Sequence, residues 1–283
     1  MTDFPHLFQP LQLRGQTLRN RIVFGAHRAN MAEGGLPGAR HLGYYRERAR
    51  GGAAMIVVEP VPVRASAVLT RGNNLAGSDA VMPGFRAVTK AVHAEGALVL
   101  DQLYLVGQHG DPDNSFMPNL SPSGLPSFHD SDGSHRMSKG DIAAMIDAYV
   151  AAVLRAKAAG FDGVRLFAAC NALIDQFWTP FNNRRSDRWG GSLENRVWFG
   201  AAIMDGIRKA AAVALALGSA FDGGPPRLPT ASSVAATATP MTQHTRRRAH
   251  RVCRSKARPR SRRSPWASGM GHRPDLNGRQ AVR

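Results

Sequence analysis

Apolar and polar positions alternate in two rhythms along the first 210 residues. Residues 7–20 (LFQPLQLRGQTLRN) hold two short alternating runs about the turn Arg14-Gly15, the pattern of a small hairpin. Arg21 to Ala26 reads as a strand, His41 to Arg50 as a helix closed by Gly51-Gly52, and Ala54 to Glu59 as a second strand. Val81 to Glu95 carries apolar residues at 81, 85, 88 and 92, one helical face that stops at Gly96, and Ala97 to Leu103 follows as a third strand. Ser138 with Asp141 starts a third helix in a cap-like way, and Ile142, Ile146, Tyr149, Val150 and Val153 give it a buried stripe up to Gly160. Phe161 to Phe167 is a fourth strand and Gly191 to Arg208 a fourth helix, separated by a stretch too polar and Gly-rich to read as an element. Strict strand-helix alternation argues for a parallel α/β sheet, and the lack of Gly-x-Gly-x-x-Gly after the first strand argues against a dinucleotide-binding Rossmann domain.

Charge divides the chain where this rhythm stops. Residues 1–210 hold 23 basic and 18 acidic side chains, whereas residues 211–283 hold 14 and 2, so most of the net +17 sits in the last quarter. The whole-chain basicity therefore says little about the first 210 residues. Residues 222–283 contain 13 Arg but one Lys among many Pro, Ala, Ser and Thr, a disordered composition without periodicity. It is also the composition of a GC-rich gene read in a shifted frame. The division is accordingly residues 1–210, folded, and 211–283, an Arg-rich tail of shifted frame with no fifth strand. Clustered guanidiniums make non-specific nucleic-acid binding through that tail the alternative function.

Cys170 and Cys253 have no metal-type spacing, so no metal site is expected, and the setting reads as reduced and cytoplasmic. Met1 to Pro10 has no apolar signal-like run, and the longest uncharged apolar run, Ala210 to Phe221, is short of the roughly 20 residues of a membrane span.

Two long loops attract the chemistry. One runs from Tyr104 to Met137, rich in Gly, Pro, Ser, Asp and His, and reads as an active-site cover. The other, after the fourth strand, contains Gln176-Phe177, Pro180, Asn183, Arg185, Asp187, Gly190-Gly191-Ser192 and Glu194-Asn195-Arg196. This run is similar to the Q-F-x-x-P-x-x-N-x-R-x-D-x-x-G-G-S-x-E-N-R segment of the old yellow enzyme family of NADH:flavin oxidoreductases, including its 2,4-dienoyl-CoA reductase-like members. HLGYYRERARGGAAMIVVEP, VGQHGD and LIDQFW further resemble a branch associated with the mycofactocin system. The resemblance implies the first half of a (β/α)₈ barrel over roughly residues 6–209, an incomplete TIM barrel of about four βα units plus the hairpin. It also implies FMN as cofactor, NADH or NADPH as reductant, an electrophilic alkene or enone as substrate, and a possible homo-oligomer.

Barrel active sites form at the C-terminal strand ends. Gln102-Leu103 followed by Gly107 resembles the family's Q-L-x-H-x-G motif, whose Gln meets the flavin pyrimidine edge; an amide suits that edge because it donates and accepts at once. A strand-end Gln bonded only to loop backbone is the competing reading. The same resemblance places Ala26, His27 and Pro60 along the flavin through their backbone. On the fourth strand the family's substrate-binding pattern is His, two spacers, Asn or His, then Tyr two further on, and here those places hold Phe167, Cys170 and Ala172. Asn171 is then a displaced donor, with Cys170, Tyr104 and His109 as further candidates. Leu105 stands where the third-strand motif has His. Arg165 stands where the family commonly has an acid, and an unpaired Arg in a barrel strand is costly, which makes Glu59 its candidate partner. The family grips the FMN phosphate from strands seven and eight, so this chain by itself is expected to be inactive.

Overall fold

The computed structural model describes residues 4–13, 15–127, 133–211 and 216–217. The Arg-rich stretch, Cys253 and Arg14 of the hairpin turn lie outside the described residues.

Strands β1 (Leu11–Leu13) and β2 (Gln16–Leu18) pair antiparallel, with Leu11 opposite Leu18, so the expected hairpin is present. Then follow β3 (Val23–Phe24), α1 (Ala39–Arg50), β4 (Met55–Pro62), α2 (Met82–Ala94) and β5 (Leu98–Tyr104). The long cover loop contributes α3 (Pro112–Ser115), β6 (Leu120–Ser121) and β7 (His135–Arg136), before α4 (Lys139–Ala158), β8 (Gly163–Leu166), α5 (Leu173–Trp178), α6 (Leu193–Ala211) and β9 (Ala216–Leu217). Strands β3, β4, β5, β8 and β9 form one parallel sheet in that order, the sequential order of a barrel wall. The described residues therefore make a partial barrel. No helix among them is long and apolar enough to cross a membrane.

Two expectations need correction. The polar stretch after β8 contains α5, which buries Leu173, Ile174 and Phe177. Four apolar side chains at 173, 174, 177 and 178 hold this single turn and a half against α6, which supplies the stability so short a helix lacks alone. The sheet also continues past residue 210, because Ala216 pairs with Gly163 and Leu217 with Val164, a fifth strand where none was expected.

The strands' two faces bury different things. On the inner face Met55, Val57 and Leu100 pack with Ala54 and with Leu18 from the hairpin, which closes one end of the sheet. On the outer face Ile56, Val58, Val99, Leu103 and Val164 meet the helices in the main core, with Tyr45, Phe85, Tyr149, Phe177 and Phe199 as its large members. Arg19 fastens the hairpin to the helix ends: its Nη2 donates to the carbonyls of Ala49 (2.6 Å) and Ala53 (3.0 Å), and its Nη1 to Glu95 O (2.8 Å). A cation there satisfies orphan carbonyls at the negative ends of α1 and α2. Ser138 and Asp141 cap α4 reciprocally, as their spacing predicts.

Candidate functional site

Parallel pairing sets Pro60 opposite Gln102 and Gln102 opposite Arg165, so these three share the inner face at the C-terminal strand ends. The row depends on an irregularity in β4. Val57 pairs with Leu100, and an unbroken register would then set Glu59 opposite Gln102. Pro60 takes that place instead, so Val58 and Glu59 together oppose Asp101. That is a β-bulge, and it reverses the facing of every later residue in β4. Without it Glu59 would point inward and Pro60 outward. With it Pro60 joins Gln102, and Glu59 turns to the outer side.

Gln102 is 2% exposed, and its side-chain amide bonds to no described residue. Its amide atoms are not among the fully enclosed polar atoms that lack a partner, so the amide keeps a small opening and can meet a further group on the inner face. Arg165 is exposed on the same face and forms no ion pair among the described residues. The expected Glu59–Arg165 pair does not form. Glu59 is fully buried on the other side of the sheet, where its Oε1 accepts from His41 Nε2 at 2.8 Å and from Asn74 Nδ2 at 3.1 Å. Gly38 N–H donates to His41 Nδ1, which leaves Nε2 as the protonated nitrogen. Ala26 packs at the edge of the inner cluster and His27 is exposed just beyond β3.

A second group gathers between the loops after β5 and β8. Asn171 Nδ2 lies 2.6 Å from His109 Nε2, and His109 Nδ1 lies 2.8 Å from Ser127 Oγ. The Asn171 oxygen accepts from Asn182 Nδ2, and the Asn171 N–H donates to Asp175 Oδ2 at 2.9 Å. Cys170 and Asn171 both sit at positive φ, 54° and 60°, consecutive left-handed positions without a glycine. Cys170 is exposed, Phe167 is half-buried and Ala172 is buried. Tyr104 donates through its hydroxyl to Ala67 O at 3.0 Å and meets Phe167 edge-on with centroids 6.3 Å apart. Burial pushes its phenol up to about 12, the nearby Arg28 charge acting against that rise.

The candidates thus fall into two sets, Pro60–Gln102 with Arg165, and Asn171 with His109. Glu59, His41 and Asn74 escaped recognition as a cluster, because the bulge that brings them together leaves no mark in strand alternation. The Gln176-Phe177 and Asn183-x-Arg185-x-Asp187 motifs prove to be loop-holding: Gln176 spans to Val106 O (2.9 Å), Asn171 O (2.6 Å) and Gln108 N (3.1 Å), and Asn183 donates to Phe177 O and Trp189 O, each at 2.7 Å.

Residues 6–221 match the family model described as NADH:flavin oxidoreductase / NADH oxidase. The chain is 33% identical over 210 residues to N,N-dimethylglycine/sarcosine dehydrogenase of Chromohalobacter salexigens, covering 72% of this chain and 30% of that protein. It is 35% identical over 217 residues to NADH oxidase of Thermoanaerobacter brockii, with coverages of 74% and 33%. Among solved structures, morphinone reductase in complex with tetrahydroNAD superposes with a TM-score of 0.68 at 29% identity, over 73% of this chain and 61% of that one. The old yellow enzyme homologue from Zymomonas mobilis gives 0.67 at 26%, over 76% and 66%. The chain spans about a third of the length of the two curated relatives.

Proposed function

Because this chain belongs to the NADH:flavin oxidoreductase / NADH oxidase family, whose enzymes use FMN and a reduced nicotinamide, we propose that it serves an ene-reductase type of reaction on an electrophilic alkene or enone. When bound, FMN supplies the hydride relay between NADH or NADPH and the double bond. The observation that carries the reading is the amide of Gln102, which stands on the inner face at the C-terminal strand ends, without a described partner and flanked by Pro60 and Arg165. An edge that alternates donors and acceptors, as a flavin pyrimidine does, is what such an amide complements. The ring end of the cofactor therefore fits the residues present.

Gln102 would hold that edge, with Pro60 and the Ala26–His27 stretch lining the ring. Arg165 adds a fixed positive charge beside Gln102, which favours electron-rich groups there. Toward the substrate, Asn171 keeps one amide hydrogen after its contact with His109, and that hydrogen is the donor we assign to an enone oxygen. Cys170 stands beside it as an exposed thiol. Tyr104 becomes a proton donor only by breaking its bond to Ala67 O.

The test uses lumiflavin, the bare ring system, so that phosphate binding plays no part. Titrated into the full chain, lumiflavin fluorescence should be quenched saturably, and Gln102→Leu should weaken that binding by roughly tenfold, about 1.4 kcal/mol. Quenching absent in the wild-type chain, or unchanged in the variant, overturns the reading.

A further inference from the structure

We propose that Glu59 is a positioning residue for the loop after β3, holding from outside the sheet the stretch that faces the flavin inside it. This rests on the function just proposed for its consequence, though not for its geometry. Glu59 is fully buried, and its Oε2 accepts from two consecutive backbone amides, Ala29 N at 2.9 Å and Asn30 N at 3.1 Å. Its Oε1 is taken by His41 from α1 and by Asn74 from the loop after β4. The Glu59 backbone N–H donates to the hydroxyl of Tyr45, also on α1, at 2.9 Å. One carboxylate thus joins the first strand's loop, the second strand, the first helix and the next loop.

All four acceptor positions of the carboxylate are met by donors, namely two backbone amides, an Asn side-chain amide and an imidazole. Charge-assisted bonds of this kind are stronger than neutral ones. They also set direction, because two successive N–H groups converging on one oxygen fix the course of the chain at Ala29–Asn30. Asn30 has φ of 55°, an unusual value for a non-glycine residue, and its side-chain oxygen accepts from Thr70 Oγ1. Gly72 lies so close that a Cβ there would stand 2.5 Å from Asn30 O, and Gly72 O accepts from Ala32 N at 2.9 Å. The segment is therefore held on both sides of the carboxylate's grip. Ala26 and His27 lie three and two residues before Ala29, so where the loop is pinned decides where they stand.

The β4 bulge links the two faces. One inserted residue turns Glu59 outward to the loop and Pro60 inward to the row with Gln102. Removing the carboxylate while keeping its shape is informative. In Glu59→Gln the amide nitrogen must face either His41 and Asn74 or Ala29 and Asn30, and each pair consists of donors. Whichever way the group turns, two donors lose their acceptor.

Hydrogen exchange on the full chain without flavin reads the anchor directly. Ala29 and Asn30 amides should be protected in the wild type and exchange at least about tenfold faster in Glu59→Gln, with Val57 and Leu100 unchanged. Lumiflavin affinity should fall by about tenfold in the same variant, and at saturating ring the visible absorption band of the bound flavin should shift, since the loop beside it lies differently. Wild-type protection with unchanged affinity and band in the variant would make Glu59 merely structural and overturn the proposal. Ala29 and Asn30 amides exchanging like exposed loop amides in the wild type would also overturn it, and that measurement decides even where Glu59→Gln fails to fold. A wild-type chain that protects both amides but binds no lumiflavin refutes the flavin-facing role together with the proposed function, while leaving the anchor itself established.

Discussion

Arg185 grips Asp187 with two bonds, Nε to Oδ1 at 2.9 Å and Nη2 to Oδ2 at 2.5 Å, while its Nη1 donates to Pro122 O at 2.9 Å and Met137 O at 2.7 Å. The Arg185 side chain is 4% exposed, so this guanidinium ties the cover loop after β5 to the loop after β8 out of contact with water. Its planar fork makes all four contacts at once, which a lysine ammonium on a flexible stem does not reproduce. Arg185→Lys should cost about 2 kcal/mol, and Arg185→Ala about 3–5 kcal/mol because two carbonyls lose their donor and Asp187 its partner. Urea unfolding checks both; a loss below about 0.5 kcal/mol for the alanine variant would mean that the loops hold each other by other means. The Arg185 bonds hold the Asp187 carboxyl below the usual carboxylate range, so this contribution is present above the unfolded carboxylate pKa and fades as pH falls through the folded one.

Gly107 and Gln176 set a second expectation. Gly107 has φ of 70°, and a Cβ there would stand 2.2 Å from the Gln176 oxygen, whose amide is already fixed by Val106, Gln108 and Asn171. Gly107→Ala therefore meets both backbone strain and a side chain with nowhere to go. A loss of about 2–4 kcal/mol is expected. Part of it belongs to the clash, so the same change in a Gln176→Ala background should cost clearly less. Strict additivity of the two losses would show that the contact is not where the cost arises.

The hairpin and the strand-helix units up to α4 were legible because each carries its own periodicity and its own stop: Gly51 after α1, Gly96 after α2, Ser138 with Asp141 before α4. What was hidden depends on partners distant in sequence. Leu173 to Trp178 is too short to be helical alone and is held by α6. At Ala216–Leu217 the strand is defined by hydrogen bonds to β8, which no local pattern announces. Glu59 misled for a third reason. A charged residue in an apolar strand invites a search for an opposite charge on the same face, and Arg165 was the obvious one; a one-residue bulge moved Glu59 to the other side. At the site, the position of Gln102 and Pro60 at the strand ends was legible in the sequence, but whether the amide would be satisfied by loop backbone was not, since that depends on a loop whose course is set elsewhere.

The last expectation concerns pH. Asp101 is fully buried on the outer face opposite the bulge, and neither carboxylate oxygen has a hydrogen-bond partner among the described residues. Burial pushes its pKa up to about 7; the Gln102 N–H, close but outside hydrogen-bonding geometry, acts to lower it, and the Glu59 charge acts to raise it. Tyr45 on α1 faces the same pair of carboxyls, and burial raises its phenol out of the physiological range, so it stays neutral throughout. In the unfolded chain Asp101 loses its proton near pH 3.9, approximately its free value. Between there and about pH 7 the folded state holds more of this proton than the unfolded state, so rising pH removes stability. The slope approaches about 1.4 kcal/mol per pH unit and the whole effect is about 4 kcal/mol, complete above pH 7. Asp101→Asn keeps the shape and cannot ionise. Its stability relative to wild type should therefore rise steadily from pH 4.5 to pH 7.5 (roughly the window between the two pKa values) and level off beyond, measured by urea unfolding at each pH. Subtracting one protein from the other cancels the titration of groups distant from Asp101, such as Asp187, which both share. Two stability curves that run parallel over that window would show that Asp101 is ionised in the fold at neutral pH and is met there by a donor.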